Sequence, residues 1–408
     1  MRLLDIITRG LRKKGGYMTS RDRVLATLRF VEPDRVPFLE QGVASNVASA
    51  VLGRPALTGG GAFRREGIEA AMRGPDAYRE YEEAWFQDWC DLVDALDFDV
   101  VSLPWAGGGA PSRKLDECTY LFGDLDRTWS VLRFDRASDT LHTIDSSLRH
   151  ERGLEQIEQE VREMAMLHSL SSHDKLCAER KKPTPSSFGL FDRIFARFGA
   201  TRAIAAGPCL VIPMEPAWLE AMMVRPDLVA QYTEMQADFA CDEIDALAAM
   251  GVDMIWGGGD FCTNKGPVYS PAQFRHFMLE PLKRMTACCH RHAIPYIFRT
   301  DGVIWPVAQE LFVESGVDGY GEIDKQAGME LAEIRKRLPH LILWGNVDCG
   351  RTLTAGTPDE VAEETRACID AAAAGGGYIL GSSNVIHAGV PPENFIAMID
   401  TCRSYGRY

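Results

Sequence analysis

The chain has 408 residues, 46% apolar and 25% charged, with a formal charge of -14. This ordinary globular composition excludes a disordered, collagen-like or coiled-coil protein, and the negative charge argues against a general nucleic-acid binder. The length accommodates either two or three domains of ~100–200 residues or one large α/β barrel with insertions.

Residues 1–17 are basic and lack the apolar core of a secretory signal. Lys13-Lys14-Gly15-Gly16-Tyr17 can be encoded by a purine-rich stretch resembling a bacterial ribosome-binding site, so Met18 is the expected natural start. The chain is therefore divided into an extension at 1–17 and one barrel domain at 18–408. Thr19 or Ser20 caps a first helix with Val24, Leu25 and Leu28 on one face. Residues 35–39 and 98–103 read as strands, and 78–96 and 150–168 as helices. The polar stretch at 168–188 is the best candidate for an exposed insertion or lid.

The second half alternates short apolar runs with helical stretches. The runs are 203–212, 252–256, 294–298, 317–320, 341–344 and 378–380, which with the two earlier ones gives about eight strands. Ser270-Pro271-Ala272-Gln273 is a capping box. It opens a helix that buries Phe274, Phe277, Met278, Leu282 and Met285, with a kink at Pro281. Thr357-Pro358-Asp359-Glu360 repeats the device, and Gly375-Gly376-Gly377 ends that helix. No apolar run approaches the ~18 residues that span a bilayer. The eleven cysteines include no CxxC pair and read as thiols of a reducing cytoplasm.

The five last strands all end in polar residues. They lead into Gly257-Gly258-Gly259-Asp260, Arg299-Thr300-Asp301-Gly302, Gly321-Glu322, Gly345-Asn346-Val347-Asp348 and Gly381-Ser382-Ser383-Asn384, with His387 just beyond. In a parallel barrel such ends converge on one face, where active sites lie. The expected proton-handling residues are Asp301, Asp260 and His387. The expected substrate contacts are Arg299, Lys265, Glu322, Asn346, Ser383, Trp105 and Glu40. Asp301, Glu322, Asp348 and His387 are candidate ligands for a divalent ion such as zinc. The glycine triplets match neither a P-loop nor GxGxxG and are expected to serve tight turns or close backbone approaches.

Several segments resemble the uroporphyrinogen decarboxylase-like superfamily, which includes the decarboxylase and methylcobalamin:coenzyme M methyltransferases. They are TSRDRVLATLRFVEPDRVPF (19–38), GGGDFCTNKGPVYSPAQFRHF (257–277), IPYIFRTDGVIWPVAQELFVESGVDGY (294–320), LWGNVD (343–348), RTLTAGTPDEV (351–361) and GGGYILGSSNVIHAGVPPENF (375–395). The resemblance implies a (β/α)8 TIM barrel and, at family level, a homodimer. Two motifs depart from the pattern. Pro37-Phe38-Leu39-Glu40-Gln41-Gly42 replaces the decarboxylase's arginine-rich RQAGRY-type loop, and Ser102-Leu103-Pro104-Trp105 lacks its FSDIL-type aspartate. Arg299-Thr300-Asp301 and Ser383 stand where the thiol methyltransferases hold zinc through an H-x-C pair and a later cysteine.

Three functions are carried forward. The first is methyl or one-carbon transfer from a small anionic substrate toward a corrinoid on a partner protein, with Asp301 as acid/base or hard ligand and Arg299 gripping a substrate carboxylate. The second is a cofactor-independent carboxy-lyase, in which Arg299 and Lys265 hold carboxylates and Asp301 or Asp260 stabilises a cationic intermediate. The third is a ligand-binding barrel without turnover.

Overall fold

The structure is a computed structural model that describes residues 18–104, 106, 109–150, 153–170 and 187–408. The expected extension at 1–17, the centre of the expected lid (171–186) and Trp105 lie outside the described residues. The elements, in chain order, are as follows. Helices α1 (Ser20–Thr27), α2 (Ser45–Leu52), α3 (Gly60–Arg73) and α4 (Pro75–Ala95) lead to strand β1 (Val100–Val101). Strands β2 (Arg113–Lys114), β3 (Thr119–Gly123), β4 (Trp129–Asp135) and β5 (Thr140–Ser146) come next, then α5 (Gly153–Leu170), α6 (Ser187–Phe198) and β6 (Ala203–Ala206). Helices α7 (Pro216–Val224) and α8 (Pro226–Met250) precede β7 (Met254–Gly258), the hairpin β8 (Cys262–Thr263) and β9 (Gly266–Pro267), α9 (Pro271–Phe277), α10 (Leu279–Arg291) and β10 (Tyr296–Arg299). The chain ends with β11 (Gly319–Gly321), α11 (Leu331–Arg337), β12 (Ile342–Trp344), α12 (Thr352–Ala355), α13 (Pro358–Ala372), β13 (Tyr378–Ile379) and α14 (Pro392–Tyr405).

Seven strands form one curled parallel sheet in the order β1-β6-β7-β10-β11-β12-β13. Strand alternation divides the core in two. Val100, Ala203, Ala205, Met254, Trp256, Ile297, Ile342, Trp344 and Ile379 share the inner cluster. Ile204, Ile255, Tyr296, Phe298, Tyr320 and Leu343 face the helices. Val24 of α1 belongs to the inner cluster, and Arg21 pairs with Asp253 just ahead of β7 at 2.9 Å. Helix α1 thus lies against the N-terminal ends of the strands.

The expected eighth strand at 35–39 is not a regular strand. Pro37 has no N–H to give to a ladder, and only isolated bridges form, between Arg35 and Arg407 and between Phe38 and Leu380. The segment nevertheless touches both edges of the sheet. Leu39 N–H donates to Leu380 O at 3.0 Å, Leu380 N–H to Pro37 O at 2.9 Å, and Asp99 N–H to Phe38 O at 3.1 Å. The observed sheet therefore has seven strands rather than the eight of the expected (β/α)8 barrel, with an extended segment beside its two edges.

Both predicted capping boxes form, at Ser270 with Gln273 and at Thr357 with Glu360. The residues after Ser270 are buried as expected. The expected kink at Pro281 is instead a break at Met278: Pro281 sits in the first turn of α10, where no N–H is required of it.

The sequence reading missed the antiparallel sheet β2-β3-β4-β5. It rests on α3 through Ile68, Tyr120, Phe134 and Leu141. Its β4–β5 turn explains the first glycine triplet. Asp139 O accepts from Gly61 N–H at 2.8 Å, and Asp139 Oδ1 accepts from Ala62 N–H at 2.6 Å. A Cβ on Gly61 would lie 2.6 Å from Asp139 O. Among the described residues, no helix is long and apolar enough to cross a membrane.

Candidate active site

The C-terminal ends of β7, β10 and β11 bring Asp260, Arg299, Asp301 and Glu322 together. Arg299 is an inward position of β10, following Ile297 by two residues. Its guanidinium lies 4.7 Å from the centre of the Trp256 ring, and Trp256 packs on Trp344 at 5.5 Å. The space for Trp344 comes from Gly321, where a Cβ would sit 2.4 Å from the indole. Arg299 Nη1 donates to Gln41 Oε1 at 2.6 Å and pairs with Glu322 Oε1 at 3.2 Å. Gln41 Nε2 also donates to Glu322 Oε1 and to Asn384 O at 2.9 Å.

Asp301 sits beside this group and accepts from Asn384 Nδ2 at 2.8 Å. Its own N–H meets Asp260 Oδ1 at 3.3 Å. Burial pushes the Asp301 carboxyl up to about 7, and the charges of Glu322, Asp260 and Asp324 push in the same direction, against the Asn384 hydrogen bond. Burial also raises Glu322, against the pull of Arg299 and Gln41. Deeper in, Glu40 is fully buried and accepts from Ser382 N–H at 2.5 Å and Ser382 Oγ at 2.9 Å. Burial pushes it up to about 8, which leaves it protonated at neutral pH.

Other expected residues do not join the cluster. Lys265 is at the exposed tip of the β8–β9 hairpin. Asp348 is engaged at its own turn: Oδ1 accepts from Gln326 Nε2 at 3.0 Å, Gly350 N–H at 2.9 Å and Arg351 N–H at 3.1 Å. His387 Nδ1 accepts from Gly389 N–H at 3.1 Å, so its proton is on Nε2, within 3.1 Å of Cys349 O and 3.0 Å of Thr354 Oγ1. Both ring nitrogens thus serve a loop, rather than supplying protons to the cluster. Asn346 is 2% exposed and donates to Met329 O. Ser383 Oγ meets Cys349, accepting from its N–H at 3.1 Å and lying 3.3 Å from its sulfur.

The four candidate metal ligands consequently do not converge. Among the described residues no group of three or more His, Cys, Asp or Glu is placed to hold a metal ion. The sequence reading omitted Gln41, Asn384 and Asp324. Asn384 was open to the same strand-end argument that selected Asp301, whereas Gln41 is revealed only by the position of the irregular segment before α2.

Residues 213–405 match the family model described as uroporphyrinogen decarboxylase (URO-D). Through this segment the chain is similar to the uroporphyrinogen decarboxylase family. Uroporphyrinogen decarboxylase of Psychromonas ingrahamii is 26% identical over 186 residues, which cover 43% of this chain and 48% of that one. The Azoarcus sp. (strain BH72) enzyme of the same name is 27% identical over 194 residues, covering 45% and 49%. The chain thus spans about half the length of these relatives. A methyltransferase from Methanosarcina mazei shares the fold, with a TM-score of 0.60 and 14% identity over 95% of this chain and 99% of that chain.

The zinc of the superfamily's thiol methyltransferases does not fit the donors present. Arg299, at the histidine position of H-x-C, is a cation already committed to Glu322 and Gln41. Ser383, at the later cysteine position, is a hydroxyl bonded to Cys349. The set lacks both soft ligands and a neutral imidazole.

Proposed function

We propose that the chain is a methyl- or one-carbon-transfer enzyme of this superfamily. In this reading Asp301 is the general acid that protonates the heteroatom from which the methyl group departs. The observation that carries it is the Asp301 carboxyl, largely buried at the strand ends and held near 7 by burial and by the charges of Glu322, Asp260 and Asp324. A carboxylic acid that keeps its proton near neutral pH suits a leaving oxygen or nitrogen, and such proton transfer contributes roughly 10²–10⁴-fold.

The same geometry revises the substrate charge. A small anionic substrate was expected on the strength of Arg299, but that guanidinium already faces Glu322 and Gln41. The carboxylates outnumber it, which favours a neutral or cationic methyl donor such as a methyl ether or a methylated amine. It weighs against a carboxylate substrate, and hence against the lyase reading. Gln41 and Asn384 hold Glu322 and Asp301 in register. The methyl acceptor is a second substrate, a reduced corrinoid presented by a partner protein at the exposed side of Asp260. Attack on the methyl carbon leaves the heteroatom with the bonding pair and the Asp301 proton.

The test supplies chemically reduced cobalamin as acceptor and a panel of methyl ethers and methylated amines as donors. Formation of methylcobalamin, followed by its absorption, supports the reading, and Asp301→Asn should suppress it. Carbon dioxide release from small carboxylic acids without methyl transfer would replace it with the lyase reading. Binding of either class without turnover would leave the ligand-binding barrel.

A further inference from the structure

The segment before α2 and the loop after β13 run side by side, and their backbone pairing is interrupted at the candidate site. Leu39 N–H donates to Leu380 O at 3.0 Å. Pairing resumes where Ile386 N–H donates to Gly42 O at 3.0 Å and Ala44 N–H to Ile386 O at 2.7 Å. Between these bonds, residues 381–385 stand opposite only Glu40 and Gln41. The longer side bulges and carries Asn384 to Asp301, whose carboxylate accepts from the Asn384 amide at 2.8 Å.

Side chains bridge the gap that the backbone leaves. Ser382 N–H, inside the bulge, donates to Glu40 Oε1 at 2.5 Å, and Ser382 Oγ to Glu40 Oε2 at 2.9 Å. Nearer the cluster, Gln41 Nε2 donates to Asn384 O at 2.9 Å, while Gln41 Oε1 accepts from Arg299 at 2.6 Å. Glu40 and Ser382 are both fully buried. With both oxygens engaged, Glu40 is placed to hold the loop rather than to meet substrate. The other side of the bulge is held by backbone, through Val347 N–H to Gly381 O at 3.1 Å and Ser383 N–H to Val347 O at 2.8 Å. The Glu40 contact is therefore where one side chain can release it.

We infer that Glu40 is a positioning residue of the strand-end cluster: it clasps Ser382, fixes the 381–385 bulge, and so sets Asn384 against Asp301 and Gln41 against Arg299 and Glu322. The physical ground is the Ser382 N–H. Without the Glu40 carboxyl it is a buried donor stripped of its acceptor, a cost that the bulge escapes only by moving. Glu40 acts through Asp301, the acid of the function proposed above, and does not itself touch reacting atoms.

The test follows the Asp301 carboxyl in the resting full-length chain, by carbon NMR titration of aspartate-labelled protein, with the signal assigned through Asp301→Asn. Glu40→Leu should move the midpoint upward, because the Asn384 hydrogen bond that lowers it is released. Combined with Asn384→Leu, it should move the midpoint no further than Asn384→Leu alone. Glu40→Gln keeps an acceptor for Ser382 N–H and should retain the wild-type midpoint. Ser382→Ala loses only the Oγ contact and should move it the same way by less; if Glu40→Leu does not fold, this variant decides. An unmoved midpoint in the deciding variant would overturn the proposal. So would additive shifts in the double variant, or a Glu40→Gln midpoint displaced as far as that of Glu40→Leu. The titration needs no turnover, so failure of the methyl-transfer assay leaves its outcome untouched.

Discussion

Asn384 donates an amide hydrogen to Asp301 across 2.8 Å and so joins the loop after β13 to the loop after β10. The bond lowers the Asp301 carboxyl while its surroundings raise it to about 7. An acid of this kind works while protonated. Turnover is therefore expected to be full below pH 7 and to fall as pH rises through about 7. Asp301→Asn removes the proton and should cost roughly 10²–10⁴-fold in kcat/KM.

The carboxylates around Asp301 set where that fall occurs. Asp260 is exposed and contributes a charge that raises Asp301. Asp260→Asn takes this charge away, so the alkaline limb of the pH–rate profile should move to lower pH. Asn384→Leu removes an opposing contribution and should move it to higher pH. Rate profiles of the two variants that shift in the same direction would contradict this arrangement.

Glu40 should cost stability as pH rises. It is fully buried, and its folded carboxyl stands near 8 against 4.5 for the ordinary group. Between those values the folded state holds a proton that the unfolded chain has released, so stability falls as pH rises from about 4.5 to about 8. Glu40→Gln keeps an acceptor for Ser382 N–H and carries no charge. It should be close to neutral at pH 5 and stabilising by about 1–3 kcal/mol at pH 8.5, read from urea midpoints at the two pH values.

Asp99 should be the costliest carboxylate to remove. It is fully buried and accepts from Arg23 at 2.6 Å, Arg35 at 2.7 Å and Phe38 N–H at 2.8 Å. Asp99→Ala leaves Arg23 and Arg35, both largely buried, without this shared partner. A loss of about 3–5 kcal/mol in urea unfolding is expected. A loss below about 1 kcal/mol would mean that Asp34 alone satisfies Arg23.

Much of the fold was legible because helix caps and buried parallel strands leave strong local marks. Ser270-Pro271-Ala272-Gln273 needs only its own residues to form a cap, and Met254 to Trp256 is apolar because both faces of its strand are covered. The antiparallel sheet left no such mark. Trp129 to Asp135 is only partly buried, so neither an apolar run nor a strict alternation appears. The same divide holds at the site. Asp301 and Arg299 follow from their place at a strand end, whereas His387 and Asp348 looked equally suitable. What sets them apart from the Asp301 cluster is a set of backbone contacts from Gly389, Gly350 and Arg351, which residue identity does not encode. Gln41 was missed because its value lies in reaching Glu322, 281 positions away.

The Asp139 turn has a consequence for any attempt to shorten the chain. The β2–β5 sheet looks like an ornament that could be trimmed back to a short loop. Yet its Asp139 supplies the acceptors for the first N–H groups of α3, through Gly61 and Ala62. Excision would leave those donors bare and uncover Ile68. The appendage and the helix are thus one structural module, to be kept or replaced together.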